Sequence, residues 1–166
     1  MFFQDEMRFG TRTENKRKWT PQGHRPLAPM KIGYEFSYLY LALKPYTGEV
    51  FAMILPYMNT ECFAIFIKEF NQCLNRTTLL IADRATTHQS KVTKDTLVVL
   101  QHLPTACPEL NPVERFFQEM RKELANKVFD TIQQAQDRIC EALMKVADDL
   151  ESVIRLTKYP YIEIRN

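Results

Sequence analysis

Near the middle of the chain, Thr78–Ala82 (TLLIA) runs as an unbroken β-branched and aliphatic segment and stops at Asp83. A run of that length without polar alternation suits a central strand covered on both faces, and such strands belong to sheets flanked by helices. The chain has 166 residues, 45% of them hydrophobic, which is enough for one domain with a true core. Disorder is excluded as an account of the whole chain.

The flanking segments supply the rest of such a sheet. The opening MFFQ reads as a short strand that ends at Asp5. Residues 11–31 carry Pro21, Gly23, Pro26 and Pro29 among basic side chains, which predicts an irregular segment or a loose hairpin. Over residues 34–43, Tyr34, Phe36, Tyr38 and Tyr40 alternate with Glu35, Ser37, Leu39 and Leu41, the period of a strand. Thr47 and Gly48 make a turn, and Val50–Leu55 returns as the hairpin partner. After Asn59 and Thr60, either of which can cap a helix, Phe63, Phe66, Ile67, Phe70 and Leu74 fall on one helical face.

Residues 96–100 predict a further strand. Asn111 as N-cap and Pro112 at the first helical position then open a helix striped by Val113, Phe116, Phe117, Met120 and Leu124. One long helix is expected from about residue 131 to about residue 155, because Ile132, Ala135, Ile139, Leu143, Val146, Leu150 and Val153 keep near-heptad spacing. A hairpin joins the early strands and helices separate the later ones, so the fold class is α/β with a mixed sheet flanked by helices. Residues 1–125 form the core in this reading, and 126–166 a helical extension packed on it.

Charge and cysteine placement narrow the setting. No apolar run approaches the roughly 18 residues of a membrane span, and the start has no signal-peptide pattern, so a soluble, cytoplasmic protein is expected. Cys62, Cys73, Cys107 and Cys140 are scattered without zinc-ligand spacing and read as reduced, buried thiols. The net charge is only +2, but Arg8, Arg12, Lys16, Arg17, Lys18 and Arg25 cluster against the single opposing Glu14, a stretch suited to phosphates. Beyond Asp130 acids outnumber bases, so the tail is not expected to grip DNA along its length.

Three acids occupy privileged places: Asp5 after the first strand, Asp83 after the buried strand, and Glu114 in the first turn of a helix. Strand ends converge at one rim of an α/β sheet. If the first and fourth strands are neighbours, Asp5 and Asp83 stand side by side, and a helix crossing the rim adds Glu114. Packed carboxylates repel one another, so three together make sense chiefly around divalent cations, and oxygen donors favour Mg²⁺ or Mn²⁺. Two ions about 3.5 to 4 Å apart would serve an in-line phosphoryl transfer. Each acid also has a purely structural account. Asp5 suits a turn, Asp83 an Asx-turn or helix cap leading into Ala85, and Glu114 a capping box with Asn111.

The segments QDEMRFG (4–10), WTPQGHRP (19–26), LLIADRATTHQSK (79–91) and LPTACPELNPVERFF (103–117) resemble, in order and spacing, the transposases of the mariner-like superfamily, especially its bacterial insertion-sequence branch. The resemblance covers residues 1 to about 125. It implies that Asp5, Asp83 and Glu114 are the catalytic, metal-holding triad, the last two 31 positions apart. It further implies an RNase H-like fold, cleavage at terminal inverted repeats, and joining of 3′-hydroxyl ends to a target containing TA.

A homo-oligomer is then expected, acting on the nucleoid of a bacterial cell. Family members find their ends with an N-terminal helix-turn-helix region, and here a separately encoded one is expected. Two departures stand out: Arg84 occupies the usual Asn position, and Thr105, Ala106 and Cys107 replace a more typical Pro-Tyr-Ser.

His88 either orients a carboxylate, touches DNA, or is a surface residue at a helix start. Trp19 either packs the basic segment or stacks on a base. Arg115 and Arg121 either steer DNA or are solvated helix charges. Two rivals accompany the transposase reading: a hydrolysis-only nuclease on the same fold, and a catalytically inactive remnant that binds DNA or a partner.

Overall fold

The computed structural model describes residues 1–85, 88, 90–105 and 107–162, with Ser90 and Ala147 described by backbone alone. Thr86, Thr87 and Gln89 of the segment after Asp83, and Ala106, lie outside the described residues. Five strands form one sheet: β1 (Phe2–Gly10), β2 (Phe36–Leu43), β3 (Val50–Leu55), β4 (Thr78–Ala82) and β5 (Val98–His102), in the order β3-β2-β1-β4-β5. β1, β2 and β3 pair antiparallel, whereas β1 with β4 and β4 with β5 pair parallel. The helices are α1 (Thr60–Gln72), α2 (Val113–Leu124), α3 (Ile132–Ala147) and α4 (Leu150–Thr157).

Alternation along the strands divides the core into two layers. On one face Phe3, Met7 and Phe9 of β1 join Leu39, Leu41 and Leu43 of β2 beneath Val113, Phe116, Phe117 and Met120 of α2. Ala135 and Ile139 of α3 and Val153 of α4 belong to this same cluster. On the other face Phe2, Tyr40, Ala42 and Leu80 pack under Phe63, Phe66, Ile67 and Phe70 of α1. The TLLIA strand is covered on both sides as expected: Leu80 is fully buried against the α1 layer, and Ile81 packs on the α2 layer.

α1 begins at the expected cap, where the Asn59 side chain accepts from the Cys62 amide at 2.8 Å. The hairpin turn holds Gly48 at φ +73°, and its α-carbon abuts the backbone of Leu150 so closely that a side chain there would collide with it.

Several expectations are corrected. β1 does not stop at Asp5. It continues to Gly10 because β2 pairs with it along almost its whole length, while the ladder with β4 reaches only Phe3. β2 starts at Phe36, leaving Tyr34 exposed, and β5 lies two residues later than expected.

The single C-terminal helix is two helices. Asp149 turns its side chain to the Ser152 amide at 3.0 Å and caps α4, so the heptad pattern carries through a break that hydrophobic spacing does not register. The thiols are all free, yet only Cys62 is buried; Cys73 and Cys140 are exposed. Among the described residues no helix is long and apolar enough to cross a membrane.

Candidate active site

The parallel register sets Phe3 beside Ile81, so Asp5 and Asp83 each lie two residues beyond the last pair of the β1–β4 ladder. Asp5 alternates with Phe3 and Met7, whose side chains lie in the layer under α2. There Asn111, just before α2, donates from Nδ2 to the Gln4 carbonyl at 3.0 Å and to Asp5 Oδ2 at 3.3 Å. The Glu6 amide donates to Asp5 Oδ1 at 2.8 Å. Asp5, Asp83 and Glu114 together line a cavity of about 330 Å³, with Arg84, Cys107 and Asn111 in its wall. A larger cavity of about 1280 Å³ lies at the opposite end of the sheet, around the starts of β1 and β4, and contains none of the three acids.

Glu114 is not a helix cap. The Asn111 amide that a capping box would give to Glu114 donates instead to the Pro108 carbonyl at 2.9 Å, and the Asn111 side chain accepts from Val113 at 3.2 Å. Pro112 takes the cap position and α2 starts one residue later than expected. The Glu114 carboxylate is about one-third exposed, with only a loose pairing to Arg121 at 3.8 Å. Asp83 does make the Asx-turn the sequence allows, accepting from the Ala85 amide at 2.9 Å.

Burial pushes the Asp5 carboxyl up to about 7, opposed by the Glu6 amide and reinforced by the charges of Glu6, Glu114 and Asp83. Asp83 is held below its ordinary value, first by its hydrogen bond to His88 and then by the Ala85 amide, against the effect of partial burial. Burial alone would lower the His88 imidazole, but hydrogen bonds to Asp83 and Glu6 outweigh it and raise it to about 10.

His88 is therefore no surface residue. Its side chain is fully buried, Nδ1 lies 2.8 Å from Asp83 Oδ1, and Nε2 lies 2.8 Å from Glu6 Oε1. The structure places the His88 side chain between two carboxylates and away from the surface. Glu6 was not singled out from the sequence. No local signal joins it to a histidine 82 positions away, and only the strand alternation that turns it from Asp5 hints at a separate task.

The basic candidates divide into two groups. Arg8 extends over the Phe36 ring at 3.6 Å, and Arg115 over the Tyr159 ring at 4.4 Å. Arg12, Lys16, Arg17, Lys18 and Arg25 lie exposed on a segment without regular structure, tied down where Thr13 meets Lys31 and where Lys16 and Glu14 meet Asn126. Trp19 is fully exposed and packs on none of the described residues. Arg121, which pairs loosely with Glu114, also lines a separate cavity with Arg8 and Arg12 at the base of this segment. Arg84 is exposed, and among the described residues no ion pair joins it to Asp83.

Residues 1–136 match the family described as DDE superfamily endonuclease. A protein of Sinorhizobium fredii (strain NBRC 101917 / NGR234), described as uncharacterized protein y4pE/y4sA, is 31% identical over 117 residues, covering 68% of this chain and 87% of that protein. The fold matches the Mos1 strand transfer complex (TM-score 0.62, 16% identity) and a pre-cleavage Mos1 transpososome (0.64, 13%). It also matches the mariner Mos1 paired-end complex with Mg (0.64, 18%). These alignments cover 95% of this chain but 55 to 56% of the Mos1 chains, so the chain spans little more than half their length. The mixed sheet with helices on both faces is thus the RNase H-like fold of transposase catalytic cores.

Proposed function

Because the chain belongs to the DDE superfamily endonuclease family, we propose that it is the catalytic core of a DNA transposase, cutting phosphodiester bonds at element ends and joining the freed 3′-hydroxyl to target DNA. The observation that carries this reading is that Asp5, Asp83 and Glu114 line one cavity, the first two each two residues past the last pair of the β1–β4 ladder.

The donor set suits Mg²⁺ or Mn²⁺: three carboxylates, hard oxygen donors, of which Asp5 is pushed toward its protonated form, first by burial and then by the neighbouring carboxylates. Among the described residues no three such side chains already converge as a ligand cluster. Glu114, in the first turn of its helix and loosely paired to Arg121, is the member with room to move in. Bound cations, two in this reading, would polarise the attacking and leaving oxygens of an in-line displacement.

The chain's own residues supply the rest. Asn111 and the Glu6 amide fix Asp5, while the Ala85 amide and His88 fix Asp83. Arg121, Arg8 and Arg12 offer a path for the sugar-phosphate backbone from the cavity to the exposed basic segment. Terminal inverted repeats and a target containing TA are the proposed substrates. Selection of particular repeats is assigned to a helix-turn-helix region outside this core, and joining two ends calls for at least two copies of the chain.

The inactive-remnant reading rested in part on Arg84, which stands in the cavity wall; among the described residues no ion pair joins it to Asp83, whose carboxylate pairs with His88. The test is Mg²⁺- or Mn²⁺-dependent nicking of supercoiled DNA by the purified chain beside Asp83→Ala and Glu114→Ala, followed by strand-transfer assays with a 3′-hydroxyl donor. Nicking abolished in both variants, with joined products from the parent, supports the transposase. Nicking without joined products favours the hydrolysis-only nuclease. No nicking under either metal overturns the proposal for this chain.

A further inference from the structure

Behind the acidic cavity, on the α1 side of the sheet, lies a buried polar chain that catalysis by three acids does not explain. The Glu6 side chain is 4% exposed and that of His88 0%. The imidazole packs against the Phe63 ring of α1 at 4.6 Å between centroids. Removing a carboxylate and an imidazole from water is unfavourable unless each is well paired, and an apolar pair would fill this layer at less cost.

Both are well paired. His88 Nε2 meets Glu6 Oε1, and Nδ1 meets Asp83 Oδ1, each at 2.8 Å. Gln4 Nε2 donates to the same Glu6 oxygen at 2.9 Å. Each ring nitrogen thus lies at hydrogen-bonding distance from a carboxylate oxygen, and the imidazole bridges Glu6 and Asp83. Consecutive residues of β1 therefore serve opposite faces: Asp5 faces the cavity, and Glu6 reaches through His88 to hold Asp83, just past the end of β4, from behind.

We propose that Glu6 and His88 are positioning residues that set the Asp83 carboxylate for cation binding, Glu6 acting only through His88. This rests on the reading of Asp83 as a cation ligand. Partners behind a metal-binding side chain commonly change affinity by about 10- to 100-fold when removed.

The experiment is Mn²⁺ binding to the intact chain, by calorimetry and electron paramagnetic resonance, for the parent, Asp83→Ala, Glu6→Gln, His88→Gln and the double variant Glu6→Gln/His88→Gln. Melting temperatures are recorded alongside. The Gln side chain cannot bridge two carboxylates, so in His88→Gln the loss of positioning weakens Mn²⁺ binding by about tenfold or more. Glu6→Gln weakens binding less, and the double variant binds no worse than His88→Gln, because the effect of Glu6 passes through the histidine.

Unchanged or tighter binding by His88→Gln, or additive losses in the double variant, overturns the inference. If His88→Gln does not fold, Glu6→Gln decides: binding equal to the parent overturns it, and weaker binding supports it. Parent-like Mn²⁺ binding by Asp83→Ala overturns the underlying metal-site reading, and this inference with it.

Discussion

Asn111 ties the start of α2 to the middle of β1, its Nδ2 lying 3.0 Å from the Gln4 carbonyl and 3.3 Å from Asp5 Oδ2. The same side chain accepts from the Val113 amide, so one buried residue holds a strand, an acid and a helix start. Asn111→Ala leaves a carbonyl and an amide without partners in the interior, at a cost of about 1–3 kcal/mol each when no water replaces the lost bond. The expected outcome is a fall of several degrees in melting temperature together with weaker Mn²⁺ binding. A variant as stable as the parent would show that the clamp is incidental.

The pH dependence of metal stabilisation follows from Asp5. Its carboxyl is pushed up to about 7 in the folded chain, against an ordinary 3.8. Below 3.8 both folded and unfolded states hold the proton and Asp5 contributes nothing. As pH rises through 3.8 to about 7 the unfolded state ionises first, so the Asp5 contribution turns against folding and reaches its full size above 7.

A divalent cation favours the ionised form and offsets this loss. The rise in melting temperature on adding Mg²⁺ or Mn²⁺ should therefore be small at pH 4 and grow steadily to pH 8, and Asp5→Asn should flatten that growth. His88, raised to about 10, keeps its stabilisation below 6.5 and loses it only as pH climbs toward 10, so it leaves the lower part of the window clear. Thermal melts with and without metal across this range check the prediction, and a metal effect independent of pH would count against it.

What the sequence makes legible here is what short-range pattern encodes. TLLIA is a strand because nothing polar interrupts it, and the Phe63, Phe66, Ile67 and Phe70 stripe is a helix because its spacing matches one helical face. That Asp5 and Asp83 line one cavity followed conditionally from the assumption that β1 and β4 are neighbours, which their ladder supplies.

The far end of β1 was hidden because its continuation depends on pairing with β2, a tertiary choice. Glu6 was hidden because its partner is 82 positions away. The break between α3 and α4 was hidden because Asp149 acts as a cap without disturbing the apolar spacing.

The exposed basic segment yields a prediction separable from stability. Lys16, Arg17, Lys18 and Arg25 are exposed, and Trp19 is fully exposed. Replacing the four cations by alanine should leave the melting temperature within about 1 °C of the parent, since exposed charges contribute little to folding. DNA binding should weaken, and the slope of log affinity against log salt should shrink by up to about 0.9 per lost phosphate contact. Filter binding or fluorescence anisotropy at several salt concentrations measures this. An unchanged slope would remove the segment from the DNA path.

Arg84 stands in the cavity wall beside the acids, exposed, without an ion pair to Asp83 among the described residues. A guanidinium there repels an incoming cation more than it supports the fold, because Asp83 already has His88 and the Ala85 amide as partners. Arg84→Asn, which restores the residue usual in the mariner-like superfamily, should tighten Mn²⁺ binding by about two- to tenfold at low salt. The gain should fade as ionic strength rises, as expected of a partly screened charge several ångströms away. Folding stability should not change measurably. The same variant measured against DNA divides the roles of the side chain: tighter metal with unchanged DNA affinity makes Arg84 a brake on the cation site, whereas weaker DNA affinity makes it a phosphate contact that the site tolerates for that purpose. Unchanged Mn²⁺ affinity at low salt would mean that the guanidinium points away from the metal-binding acids.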